Sequence, residues 1–455
     1  MLCILVGFCL QEAVVSRTTS TAIPRSTVAT MAATRRNVLR GIGLSGLAVG
    51  GASLLAACGG DSGPATGSGA TVKFGINEAE GVGAAHDRLA AIAKAYQQES
   101  GTTVDLNAVD HNTFQESINT YLQGTPDDVF TWFAGFRMAQ FAEAGLITDL
   151  SDQWPIDGLN DSFKQAATAP DGKQYFVPIS YYPWAVFYRK SVFEKNGWAP
   201  PSTNDDFMAL MDDMQGKGVT PFAFGDKDGW PAMGTFDILN MRLNGFDFHM
   251  SLMAGDEAWD GDEVKGVFDT WRKLLPYHQA DPLGRTWQEA ATSMGKGECG
   301  MYLLGTFVVD ALGENGEDLD FFTFPELDSS IGSDALDAPI DGFCVASAGQ
   351  NQDAGKAMAK WLGSAAAADA GNNAADAPFI AANEGASTST YSDLQKKSAE
   401  VVGAAANIAQ FMDRDTNADF ANTVMIPSIQ AFLKDPDDID GVTASIQEQA
   451  NSIFG

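Results

Sequence analysis

The alternation of short apolar strands with amphipathic helices between Thr71 and Ala144 constrains this chain more than any other feature. Thr71–Ile76 alternates as a strand does, and Val104–Val109 and Asp127–Trp132 read as two more. Between them Leu89, Ile92, Ala93 and Tyr96 recur at helical spacing. So do Phe114, Ile118, Tyr121 and Leu122, behind a capping-box pattern at Thr113–Glu116. Strand–helix–strand–helix–strand is a run of βαβ units, and its economical solution is a mostly parallel sheet flanked by helices. Ligands of such sheets lie beyond the carboxyl ends of the strands, here Asn77–Glu80, Asp110–His111 and Trp132–Phe136.

The character of the chain changes at Asp171–Asp206. A polar turn leads into an extended run, then Tyr181-Tyr182-Pro183-Trp184, then a second extended run, AVFY. Three rings and a proline in succession make an odd core strand, because alternate side chains face opposite ways. Either some of these rings face a cleft or the strand is buried on both faces. A second strand–helix series follows, with strands at Val219–Phe224, Cys299–Leu304, Asp320–Phe324 and Phe343–Ala346. With 455 residues the chain is too long for one ordinary core. Two α/β lobes are expected.

The formal net charge is −31, and residues 58–455 alone carry 23 basic against 58 acidic side chains. Such a surface repels phosphate backbones and anionic headgroups, which argues against nucleic acid and polyanions and favours a neutral or cationic ligand. Residues 34–40 read Thr-Arg-Arg-Asn-Val-Leu-Arg, followed by an uncharged Gly/Ala-rich run and then Leu55-Ala56-Ala57-Cys58. This resembles a twin-arginine export signal ending in a bacterial lipobox, which implies cleavage before Cys58 and a lipid on that cysteine. Residues 1–30 fit poorly in front of such a signal, so translation is expected to start at Met31. Residues 58–70 are a Gly/Ser-rich tether.

Several segments then stand in a telling order. They are Gly172-Lys-x-Tyr-x-x-Pro178, AVFYRKSVFEKNGWAPPST, Gly295-Lys-Gly-Glu-Cys-Gly-Met301 with Gly305-Thr-Phe307, and Phe324-Pro325. Together they resemble the solute-binding proteins of ABC importers, specifically the extracellular family that binds sugars and oligosaccharides, over Val72 to Phe454. The chain departs from that pattern at Arg189 and Phe307, where the family often has Asn and Trp, so Phe307 is not counted as a stacking ring.

The resemblance implies a two-lobed, periplasmic-binding-protein-like α/β fold whose hinge is crossed three times, near Ile179–Pro183, Ala335–Ile340 and Phe379–Gly385. Lobe one is then expected over 71–180 with 341–382, and lobe two over 181–335 with 386–455, after a signal at 1–57 and the tether. The implied function is that of a monomeric receptor on the outer face of the bacterial cytoplasmic membrane. It delivers a mono- or oligosaccharide to permease subunits and needs no cofactor. A sugar needs flat rings for its C–H faces and polar partners for each desolvated hydroxyl. The expected plates are Trp132, Tyr182, Trp184 and Trp230. The expected polar partners are Glu78, Glu80, Asp110, His111, Asp228, Thr306 and Asp341.

Two other function classes compete. A secreted carbohydrate-active enzyme needs only a pair of carboxylates, but GxSxG, HExxH and a P-loop are absent. An amino-acid or peptide receptor shares the two-lobed logic but wants an Arg or Lys for the ligand carboxylate. The four histidines (86, 111, 249, 278) lack metal-ligand spacing, so no metal site is expected. Cys299 and Cys344 fall in different lobes and are expected to be buried free thiols.

Overall fold

The computed structural model describes residues 70–81, 84–374 and 379–455. The expected export signal, Met31, Cys58 and nearly all of the tether lie outside the described residues. Four strands come first: β1 (Thr71–Ile76), β2 (Thr103–Ala108), β3 (Val129–Phe133) and β4 (Val177–Tyr181). After a crossing at Tyr182-Pro183 come β5 (Trp184–Arg189), β6 (Thr220–Phe222), β7 (Cys299–Gly305) and β8 (Leu319–Phe322). A short β9 (Ala335–Asp337) precedes β10 (Ile340–Val345) and β11 (Ile380–Ala381), and β12 (Asn407–Ala409) pairs with β9.

Two sheets organise two cores. The first has the order β11-β4-β10-β3-β1-β2, the second β6-β7-β5-β8. Around the first, Phe74, Phe130, Trp132, Phe176 and Phe343 are buried with residues from Val72 to Ile179 and from Phe343 to Ala368. Around the second, Trp184, Phe187, Phe207, Phe236, Trp259 and Trp271 are buried with residues from the C-terminal helices. Cys299 and Cys344 are free and buried, one in each core.

The fold class is the expected two-lobed α/β arrangement, but the strand pairing corrects the expectation of mostly parallel sheets. β1 pairs in parallel with β2 and β3, whereas β10 is antiparallel to both β3 and β4. In the second sheet β5 is antiparallel to β7 and β8. The cause is the crossing itself. β10 and β5 each arrive from the other lobe, so each starts at the cleft edge and runs away from it, against neighbours that run towards it.

The third crossing also falls later than Phe379–Gly385. Phe379, Ala381 and Ala386 still pack on the first core, and the Asn383 amide donates to Asp157 O and Gly363 O. Leu394 belongs to the second core. The β11 pairing with β4 holds this stretch in the first lobe. A smaller correction concerns the second helix, which starts at His111 and is capped by Asp110, whose Oδ1 accepts from Thr113 N at 3.1 Å; Thr113 is inside the helix, not its cap.

The second lobe buries acids as well as rings. Burial pushes the Asp226 carboxyl up to about 7, and burial pushes Asp415 up to about 6. A carboxyl whose folded pKa lies above its unfolded value of about 3.9 binds its proton more tightly when folded. Its stabilising contribution is present at low pH and is lost as pH rises through the folded pKa. His249 and His278, lowered by burial to about 3 and about 4, have the opposite sign. At pH ~6.5 each is still about half-protonated in the unfolded chain, so between pH ~6.5 and ~8.5 the two together restore about 0.8 kcal/mol, roughly what Asp226 loses over the same range. The Asp226 contribution is therefore read as a difference. In urea, wild-type stability relative to Asp226→Asn, which keeps an oxygen for Ala232 N, is expected to fall by about 1 kcal/mol across that window. Equal slopes in the two proteins would contradict this.

Candidate functional site

The carboxyl ends of β1, β3 and β7, the start of β10 and the first crossing surround one cavity of about 260 Å³. Half-buried rings make much of its wall. Phe307 is central among them, with its centroid 5.4 Å from Tyr182, 6.0 Å from Trp230 and 5.1 Å from Trp287. His111 of the first lobe faces Trp230 of the second at 6.5 Å. Gly305 must be glycine here, because a Cβ would lie 2.4 Å from the Phe307 ring and 2.8 Å from Tyr182.

The expected site residues fall into three groups. Glu78, Asp110, His111, Tyr182, Trp230, Thr306 and Asp341 line the cavity. His111 Nδ1 is 3.7 Å from Glu78 and 3.3 Å from the Asn77 amide, so β1 and the second helix present one polar edge. Trp132 and Trp184 reach the wall but are only 2% exposed, which corrects their assignment as open plates. The Trp132 N–H donates to Arg137 O at 3.1 Å and the Arg137 guanidinium covers its ring at 4.8 Å. Trp184 packs on Phe411 at 4.8 Å and against Gly234, where a Cβ would meet the indole at 2.5 Å.

Glu80 and Asp228 form the third group, off the wall. The chain turns away at Glu80-Gly81, with Gly81 at φ 78°, and leaves Glu80 exposed. Asp228 is half-buried in its turn. Burial raises its carboxyl, while Asn112 and His111 of the other lobe lie close enough to lower it. It acts between the lobes at the rim.

Sequence reasoning missed the charged part of the site. Arg414 is 6% exposed; its Nη1 donates to Ile340 O at 2.9 Å and its guanidinium lies 4.5 Å over the Phe133 ring. Its Nη2 is 3.1 Å from Asp341 Oδ1, within ion-pair range but not aligned as a hydrogen bond. Burial raises the Asp341 carboxyl, partly countered by Arg414 and His111. Neighbouring Asp413 pairs with Arg137 at 2.6 Å, and Arg88 with Asp310 at 3.2 Å. Both pairs join one lobe to the other, so the lobes are closed over the cavity. Gly135, at φ 70°, admits this approach: a Cβ there would lie 2.3 Å from Arg414 O. The DRDTNAD run around Arg414 carries no periodicity that would reveal a cleft residue. Trp287 had a weak signal, because it opens the helix capped by Thr286.

Several buried polar atoms on the wall have no partner among the described residues. They include the indole N–H groups of Trp230 and Trp287 and the Gln288 side-chain oxygen. Buried polar groups are normally paired, so these three atoms stand out on the wall.

A two-lobed α/β fold closed over a ring-lined cavity defines a binding protein. The family model "Bacterial extracellular solute-binding protein" matches residues 85–369, and the chain belongs to that family, whose members are receptors without enzymatic activity. An uncharacterized ABC transporter extracellular-binding protein of Pyrococcus horikoshii is 30% identical over 248 residues, covering 53% of this chain and 54% of the relative. A probable sugar-binding periplasmic protein of Mesorhizobium japonicum is 28% identical over 211 residues, covering 43% and 49%. The matches thus span about half the length of these curated relatives. Among solved structures, the bacterial solute receptor AcbH, described with an exclusive preference for β-D-galactopyranose, superposes with a TM-score of 0.82 at 41% identity, covering 85% of this chain and all of that one. A chitin oligosaccharide binding protein, at 19% identity and TM-score 0.73 over 85% of this chain and 99% of that one, shares the fold.

Proposed function

We propose that this protein is a lipid-anchored extracytoplasmic receptor that binds a sugar of about one pyranose ring between its lobes and delivers it to an ABC importer. The reading rests on the cavity. Its volume of about 260 Å³ lies below the roughly 300–1,000 Å³ of sites for drug-sized ligands, which favours one ring over a chain. Half-buried aromatic faces interleaved with polar side chains such as Asn77, Glu78, His111 and Thr306 suit a ring with apolar faces and a hydroxyl rim. The three arginines on the wall each pair with an aspartate, which disfavours an amino-acid carboxylate. The likeness to a galactopyranose receptor adds support. In this reading residues 71–180 with 341–386 act as one lobe and 181–335 with 394–455 as the other. Glu78, Asp110, His111, Tyr182, Trp230, Thr306 and Asp341 hold the ligand, which favours the closed state because it touches both lobes only there.

The sequence before Cys58 supports export and lipidation, and no helix among the described residues is long and apolar enough to cross a membrane. A thermal-shift and calorimetric panel of D-galactose, D-glucose, D-xylose, maltotriose, raffinose and free amino acids tests the ligand class. Binding of a monosaccharide is expected; tight binding of an amino acid with no sugar response would overturn it. Mass analysis of protein extracted from bacterial membranes tests the anchor, and a mature chain with an unmodified N-terminus would refute it.

A further inference from the structure

A second polar cluster lies in lobe two, apart from the residues that line the cavity. Asp237 lies on the Pro231–Asn244 helix, His249 on the Phe246–Ala254 helix, and Asp337 ends β9. All three are 0% exposed. One ligating atom from each lies within 4.8 Å of the other two. Asp237 Oδ1, His249 Nε2 and both Asp337 oxygens have no hydrogen-bond partner among the described residues. The other Asp237 oxygen accepts from Met412 N at 2.7 Å. Burial, and after it the charge of Asp337, pushes the Asp237 carboxyl well up; burial and then Asp415 do the same to Asp337. Arg242 and Arg414 counter the Asp337 charge only in part. Two acids and an imidazole thus converge, with these four atoms hydrogen-bonded to no other group among the described residues.

We propose that Asp237, His249 and Asp337 bind one divalent ion of the Zn²⁺ or Mn²⁺ class. One imidazole nitrogen with two carboxylates is a donor set those ions accept, and a divalent charge balances both acids. The histidine has its supporting partner. The Asn240 amide is 3.0 Å from His249 Nδ1, and the Asn244 amide is 2.8 Å behind it. With both amides turned, Asn240 Oδ1 accepts from Nδ1–H and Nε2 offers its lone pair to the ion. The turn sacrifices only the 3.3 Å contact from Asn244 to Glu263 O. The ion would tie two helices to β9 and, through Asp237 and Met412, to the arm that carries Asp413 and Arg414.

The test uses tag-free full-length protein, unfolded in urea with EDTA and refolded with ZnCl₂, with MnCl₂, with MgCl₂ or with EDTA alone. Elemental analysis after desalting should find about one Zn or Mn per chain, with a melting temperature several degrees above the EDTA sample and no such gain from MgCl₂. Asp337→Asn should lose both the ion and the gain. Because that substitution can disturb folding itself, Co²⁺ refolded into the wild type gives an independent readout through its ligand-field absorption. Wild-type protein that holds no stoichiometric Zn or Mn and melts as in EDTA would overturn the proposal, and the cluster would then be one of shared protons.

Discussion

Arg414→Ala is expected to lower unfolding free energy by about 3–5 kcal/mol, the range for stripping one partner from a buried ion pair, and to weaken sugar binding about 100-fold. Arg414 ties Asp341 and Ile340 of the first lobe to an arm of the second, and the Phe133 ring beneath it belongs to the first lobe as well. Alanine leaves the half-buried Asp341 carboxylate without its nearest cation. It also removes a tie that exists when the lobes are closed, so the ligand must supply more of the closing free energy. Arg414→Lys keeps the charge but loses the planar fork that serves Asp341, Ile340 O and the Tyr182 hydroxyl together, and should fall between the two. Urea unfolding and titration calorimetry with D-galactose measure both effects. A wild-type midpoint and affinity in Arg414→Ala would mean that closure does not depend on this arm.

The second large effect separates two tryptophans that look alike in sequence. Trp230→Ala removes a half-buried ring from the cavity wall and should weaken binding by about 1.5–3 kcal/mol, roughly 10- to 150-fold in Kd, with a small change in stability. Trp184→Ala instead empties a site enclosed by Phe411, Phe307 and Gly234, and should cost about 3–5 kcal/mol of stability. Any loss of affinity there follows from wall movement. The same two measurements read both variants, and a destabilised Trp230→Ala beside a stable Trp184→Ala would reverse the assignment.

The expectation that Tyr182-Pro183-Trp184 lines the cleft is thus divided by the structure. Tyr182 lies on the cavity wall against Phe307, while Trp184 is the first residue of β5 and turns inward. Alternation along a strand predicts that neighbours part company, but not which of them faces the ligand. Phe307 shows the converse. Set aside for departing from the family pattern, it stands among four rings of the wall.

From sequence alone came two α/β lobes and wall residues at strand ends such as His111, which follow from local rules: side-chain periodicity marks the elements, and ligands of such sheets gather beyond their carboxyl ends. The place of the first crossing and the choice of Asp341, at the start of β10, came from the resemblance to a known family instead. Only the tertiary structure decided the antiparallel course of β10 and the pairing of Arg137 with Asp413 and of Arg414 with Asp341. Only there do Asp237, His249 and Asp337 meet. The partner of a buried charge is set by how distant segments pack, and no periodicity within either segment encodes it.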